Sequence, residues 1–262
     1  MKRFIKKAIY FITVLAVAGC LHSCEKDDTL MYNNATLGNV VDGRFISDQG
    51  NIFNFVEQLC SGDITTMTRA MVVCDVLNKT ASGESNEYDV RVTQIAKVLA
   101  KNIVFHENVN DDMLVQDPIH IEYAWISGGY MNLYIMFPIK VASTTSHLIN
   151  LVHEGAMIDP QTNEEISGTY RFSLRHNSFG DKATSDSPME YALAGGYVSF
   201  PLNNYITEKE ADLSIEWVYR SGDGENEEDT GKRAVTARYK SDGFQHAPQG
   251  IALQTMSRCK VK

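Results

Sequence analysis

The chain has no second long apolar run after its N-terminus, no CxxC pair among its five cysteines, and too few basic residues to match its acids. Each shortage removes a class of protein. Without a further run approaching the roughly 20 apolar residues of a spanning helix, no later helix reads as a membrane crossing. Without paired cysteines the common zinc and redox motifs are missing. Removing residues 1–23 takes away four Lys/Arg and no Asp/Glu, which leaves 20 positive and 33 negative residues and a net charge of −13. That balance argues against nucleic acid or anionic lipid as the main ligand.

The motif search returns mostly absences as well. His153-Glu154 begins like a zincin, but position 157 is Met and no HExxH exists. The acidic stretch 223–231 has the alternating acids of a calcium loop, yet Glu228 occupies the turn-glycine position and Ala234 the terminal glutamate position. Gly224 and Gly231-Lys232 are too far apart for a P-loop, and no GxSxG elbow occurs. His147 and His153 share parity on one expected strand but lie about 20 Å apart, so they are expected as half-exposed strand histidines rather than co-ligands. Asp111-Asp112 and Asp181 with Asp186 are the acid pairs a glycoside hydrolase would need, but adjacent acids in a linker are normally solvated. The expectation is a non-enzyme with no cofactor and no metal.

What is present begins with the N-terminus. Lys2, Arg3, Lys6 and Lys7 precede an apolar stretch, Ala8 to Leu21, of 14 residues. This is the anatomy of a secretory signal. Val17-Ala18-Gly19-Cys20 and Leu21-His22-Ser23-Cys24 both fit a lipoprotein box. Glu25-Lys26-Asp27-Asp28 directly after Cys24 resemble the acidic signal that sends some Gram-negative lipoproteins to the outer face of the outer membrane. Cys24 is therefore the expected lipidation site, with Cys20 the alternative, and the expected location is a lipid anchor in the outer membrane at the cell surface. Residues 24–36 are polar and aperiodic, as a tether would be.

Beyond the tether the pattern is strand after strand. Residues 37–45, 51–57, 69–77 and 88–99 make a first block, the last ambiguous because Ile95, Val98 and Leu99 keep helical spacing. A second block runs from 119 to 240. In it Leu213, Ile215, Trp217 and Tyr219 alternate with polar residues, as do Tyr170, Phe172 and Leu174, the pattern of strands buried on one side. Glycine pairs in "EYAWISGGY" and "EYALAGGY" are expected at turns or bulges. Thr207 and Glu210 stand in capping-box register and predict one helical turn. Cys74 alternates with Ala70, Val72 and Val76 and is expected on an apolar face; a Cys60–Cys74 disulfide is permitted by an oxidising compartment.

Read together, "GNVVDGRFISDQGNIFNF", "WISGGYMNLYIMF", "SHLINLV", "LRHNSFGD" and "YVSFPL" resemble the NigD-like family of bacterial lipoproteins. The resemblance implies an all-β fold: a small OB-like barrel, residues 37–112, followed by an antiparallel β-sandwich, residues 113–262. It carries the lipidated cysteine onto Cys24 and matches His176, Asn177 and Asp181 to the family's "HN..GD" turn, expected to be a side-chain-capped hairpin. Tyr123, Trp125, Tyr130 and Tyr134 form a possible sugar-stacking face, with core packing as the alternative. The expected partners are the membrane through its lipid, and an envelope protein or an extracellular glycan or peptide.

Overall fold

The computed structural model describes residues 35–79, 86–181, 191–220, 230–241 and 243. Cys20, Cys24, Asp186, Cys259 and most of the acidic stretch 222–231 lie outside them.

The first five strands close into a barrel: β1 (Thr36–Val41), β2 (Arg44–Ser47), β3 (Ile52–Gln58), β4 (Arg69–Lys79) and β5 (Glu87–Lys97), in the order β1-β2-β3-β5-β4. Pairing of β3 with β5 is parallel and the rest antiparallel, the order of an OB-like barrel. The stretch 37–45, expected as one strand, is a hairpin. Asp42 and Gly43 both have positive φ, 50° and 75°, as a type I′ turn requires, and an Asp-Gly pair reaches that conformation cheaply. Residues 88–97 resolve as strand, because Tyr88, Val90 and Val92 are needed with Phe45, Phe53, Val72 and Cys74 to fill the barrel. Cys74 is buried there, and burial pushes its thiol up to about 12; Cys60 and Cys74 are both free thiols.

Leu99–Ala100 (β6) and Val104–Phe105 (β7) already pair with sandwich strands, so the change of sheet follows Lys97 rather than residue 112. A segment then crosses the surface and contains a 3-10 turn, His106–Asn108, and a short α-helix, α1 (Asp111–Leu114), whose Met113 N donates to the side-chain oxygen of Asn110. The sandwich follows with β8 (His120–Ser127), β9 (Tyr130–Lys140), β10 (Leu148–His153), the small hairpin β11 (Met157–Ile158) and β12 (Glu165–Ile166), β13 (Thr169–Asn177), β14 (Tyr191–Pro201), β15 (Glu210–Arg220) and β16 (Thr230–Lys240). One sheet has the order β16-β15-β13-β10-β7, the other β6-β14-β9-β8. Because β14 belongs to the facing sheet, β15 returns in the same direction as β13 and pairs with it in parallel. The expected helical turn at 207–210 is absent, since Glu210 opens β15.

The inward faces of the two sheets meet in one core of Met131, Leu133, Ile135, Phe137, Ile149, Leu151, Phe172, Leu174, Phe200, Leu213 and Ile215 with their neighbours. The two glycine pairs have different roles. Gly128 and Gly129, with φ of 58° and 77°, form the β8–β9 turn. Gly195 and Gly196 lie inside the uninterrupted β9–β14 register, neither a turn nor a bulge. A side chain at Gly195 would sit 3.0 Å from the Ile135 carbonyl oxygen and from the Tyr134 hydroxyl, so glycine here permits close approach.

Candidate functional site

Barrel and sandwich meet on the outer face of the four-stranded sheet. Leu37, Met71, Ala96 and Val98 from the barrel side pack with Trp125 and Tyr197, and Tyr123 and Tyr134 lie against this cluster. Tyr134 is 4.8 Å from Tyr197 and 6.3 Å from Tyr123, ring centre to ring centre. Trp125 is buried. The fourth ring, Tyr130, lies 4.0 Å beneath the guanidinium of Arg69. The rings expected to form a stacking platform are thus joined to the packing between the two halves, because β8 and β9 turn their outward residues onto the barrel.

Arg69 is the polar centre of this junction, and it is 1% exposed. Its five N–H groups all have acceptors. Nε donates to Ser199 Oγ at 3.0 Å, Nη1 to Asn39 Oδ1 at 3.0 Å and Asp48 Oδ1 at 2.8 Å, and Nη2 to Asp48 Oδ2 at 2.7 Å and Asn132 Oδ1 at 3.0 Å. Ser127 Oγ donates to the same Asp48 carboxylate, and Ser199 Oγ and Asn132 complete the ring of bonds. Asn39, Asp48 and Arg69 come from the barrel; Ser127, Asn132 and Ser199 come from the sandwich. A buried ion pair is worth keeping only when its remaining lone pairs and protons are satisfied, and here they are.

The "LRHNSFGD" segment does more than cap a hairpin. Asn177 Oδ1 does accept from Phe179 N at 2.8 Å, the local turn expected of it. The other groups reach across to the segment 106–118, here called the strap. Arg175 Nη1 donates to Met113 O at 3.4 Å and Asn177 Nδ2 to Asp112 O at 2.9 Å, while Ser178 donates through both N and Oγ to Asp117 Oδ2. Asp117 N donates back to His176 O at 2.8 Å. Replacing Asn177 by Ala should remove the strap bond and the turn bond together, at about 1 to 3 kcal/mol; chemical denaturation of the variant measures it.

Behind the strap, His147 and His176 sit between the two sheets, both almost wholly buried. His147 is therefore no half-exposed strand residue; it precedes β10 and points into the core, whereas His153 is half-buried as expected. His147 Nδ1 is 2.9 Å from His176 Nε2, His147 Nε2 is 3.2 Å from Asp181 Oδ2, and His176 Nδ1 is 3.2 Å from Pro118 O. Phe137 covers both imidazoles, with ring centres 4.6 Å and 4.9 Å away. Burial, and then the neighbouring His147, push His176 down to about 4. Burial pushes Asp181 upward, but hydrogen bonds from Ser143, Lys140 N and His147 outweigh it and hold the carboxyl below its ordinary range. Asp181 thus anchors a distant strand end and a histidine instead of its own turn.

On the strap's outer side Glu154 receives Arg175 Nη2 at 2.6 Å and lies 2.7 Å from His106 Nδ1. Asn150 stands directly opposite Arg175 on β10, and its Oδ1 accepts from Lys101 Nζ at 2.7 Å. Burial pushes the Lys101 ammonium down to about 8. Asp111 and Asp112 are adjacent and exposed in the first turn of α1, Asp181 is buried, and its expected pair partner Asp186 lies outside the described residues. Among the described residues, no group of three or more His, Cys, Asp or Glu is placed to hold a metal ion.

Fold and site define an all-β protein in which an OB-like barrel is bonded through a buried arginine to a strap-bearing sandwich. Residues 102–231 match the family model for the "NigD-like C-terminal beta sandwich domain", so this part of the chain is a NigD-like sandwich domain. Three solved structures share the fold. A candidate toxin-related protein from Parabacteroides distasonis is 23% identical, with a TM-score of 0.53 over 79% of this chain and 92% of its own. A NigD-like immunity protein from Bacteroides caccae is 16% identical, with a TM-score of 0.52 over 79% and 95%. A candidate lipoprotein from Bacteroides fragilis is 13% identical, with a TM-score of 0.54 over 79% and 97%. A search of curated proteins gives no match.

Proposed function

We propose that the protein is a cell-envelope lipoprotein, tethered through Cys24 in the outer membrane and exposed at the cell surface. Its barrel and sandwich act as one non-catalytic binding or accessory module. The observation that carries this reading is the state of the reactive side chains. His147, His176, Asp181, Glu154 and Arg175 are engaged in bonds that hold the strap and the sheets, and Arg69 and Asp48 in bonds that join the halves. The charged sequence before the apolar run, the two lipoprotein boxes and the acidic residues after Cys24 support the anchor. A structural relative described as a lipoprotein agrees with it.

An envelope protein is the favoured partner. The rings best suited to stack on a sugar are committed to the barrel–sandwich junction, and the acidic charge disfavours nucleic acid. Two measurements on native membranes test the proposal. Cys24→Ser should abolish lipid incorporation and release the protein from the membrane, while Cys20→Ser should leave both intact. Crosslinking of the anchored wild type should recover one envelope protein that the Cys24→Ser form does not. Lipid incorporation that survives Cys24→Ser would remove Cys24 as the anchor, and absence of any anchored-form partner would remove the accessory role.

A further inference from the structure

We infer that the open edge of β16 is a docking site for an extended acidic segment of the envelope partner, added as a further strand beside the five-stranded sheet. The inference deepens the accessory-module reading and rests on it for the existence of that partner. Residues Glu210 to Arg220 of β15 pair with Lys240 to Thr230 of β16 in one register without a shift. Ser241 N donates to Lys209 O at 2.9 Å, so these two residues form a hydrogen-bonded pair that continues the register. Alternation of such pairs in an antiparallel ladder turns the backbone of residues 231, 233, 235, 237 and 239 toward β15 and that of Lys232, Ala234, Thr236 and Arg238 toward the open side. None of the bonds among the described residues uses the N–H or C=O groups of those four. The other sheet edges are poorer templates. Strands β6 and β7 have two residues each, and β8 has a register shift between Ile121 and Tyr123 and buries Trp125, Ile126 and Ser127. A long edge with neither bulge nor proline, as β16 has, invites pairing.

Charge decides which strand this edge accepts. Strand β16 carries Lys232, Arg233, Arg238 and Lys240 and no acid, within a chain that is acidic overall. On the outer face of the sheet the charges run in columns: Glu210, Asp212 and Glu216 on β15, then Lys232, Arg238 and Lys240 on β16. Arg238 and Lys240 are bonded back to Glu210 and Asp212, while Lys232 stands opposite Val218 and has no acid across from it. The next column in that order is acidic. A second copy of β16 would instead set four more cations beside these four, and like charges across a ladder repel. On the inner face Val235 keeps the parity of buried Tyr239 but is 37% exposed, so an added strand meets an apolar position there. The segment that fits therefore alternates acidic or polar residues on one face with apolar residues on the other, the side-chain half of recognition by strand addition.

The probe is a synthetic peptide of alternating valine and threonine, with two of its threonines replaced by glutamates spaced to match Lys232 and Arg238. The same peptide with lysines is the control. Each is added to the unlipidated chain, residues 24–262 with Cys24→Ser, and amide hydrogen exchange is followed along β16. In the free chain the amides of residues 233, 235 and 237 should be protected and those of 232, 234, 236 and 238 open. Glutamate peptide at about ten times its dissociation constant should raise protection of the second set about tenfold, and the lysine peptide should not. Thr236→Pro removes one open-edge donor and no bond to β15, and should weaken binding. Lys232→Glu reverses the charge that lacks an acid opposite and should weaken the glutamate peptide about tenfold. Should Thr236→Pro fail to fold, Lys232→Glu and the alternating exchange pattern stand alone. Open-edge amides already protected in the free chain would mean that residues 244–262 or a second copy hold this edge, and would overturn the inference. So would equal binding of both peptides, or no protection at millimolar glutamate peptide. Because this test needs no membrane, its failure is separate from failure of the crosslinking that tests the accessory role.

Discussion

Replacing Arg69 by methionine should cost about 3 to 5 kcal/mol of stability, far more than loss of its packing alone, because Asp48 would be left as a buried carboxylate without its counter-charge. Asn39, Asn132 and Ser199 would also each lose a donor to their oxygen. The double replacement Arg69→Met with Asp48→Leu removes both charges. It should recover a substantial part of the loss, since burying an unpaired charge costs more than burying neither. Equilibrium denaturation of the three variants measures this coupling. If the single and double variants were equally destabilised, the charge pair would not be the source of the effect.

Phe137→Ala is the second large expectation, about 3 to 5 kcal/mol, from the cavity left by a fully buried ring. Phe137 belongs to the core shared by both sheets and is also the cover over His147 and His176. Its removal should therefore have a consequence that a simple cavity elsewhere would not. Water admitted beside the imidazoles would relieve the desolvation that holds His176 low, so His176 should titrate nearer its ordinary value. Phe172→Ala, in the same core but in contact with neither imidazole by ring stacking, should show a similar stability loss without that displacement. Parallel thermal denaturation and histidine NMR titration of the two variants separate the effects.

The sequence carries the fold at those strands where one face is buried. Leu213, Ile215 and Trp217 alternate with polar Ser214 and Glu216, and all three are buried. The all-β class and the sandwich are legible for that reason, whereas the barrel is what the family resemblance implies. Strand β4 is legible as a strand but not as a junction: Arg69, Ala70, Met71 and Val72 are all buried, so its alternation vanishes where the barrel meets the sandwich. An arginine opening an apolar strand looks like an ordinary strand end. Only the partners reveal it, and Ser199 and Asn132 lie 130 and 63 residues further along the chain.

The same limit applies to the strap. His176, Asn177 and Asp181 are visible as a turn because turn chemistry is local, and the Asn177–Phe179 bond is that local part. Their remaining bonds run to residues 29 to 65 positions away, at distances that no local pattern encodes. His147 departs from its expected half-exposed position for a related reason, since strand parity assigns a face but does not show that Phe137 from the opposite sheet covers it. The boundary expected at residue 112 falls earlier because Leu99–Ala100 and Val104–Phe105 are two-residue strands, too short to leave a periodic signal.

The chain's two tryptophans give the most direct test of the central claim, that barrel and sandwich form one module. Trp125 lies in the junction and Trp217 in the sandwich core. Fluorescence of Trp125→Phe and Trp217→Phe variants through a denaturant titration reports each location separately, with far-ultraviolet circular dichroism following the whole chain. One transition is predicted, with the two probes and the circular dichroism coinciding once the small stability difference between variants is allowed for. A Trp125 transition well below that of Trp217, with part of the strand signal lost alongside it, would show a barrel that comes away by itself and would contradict the account.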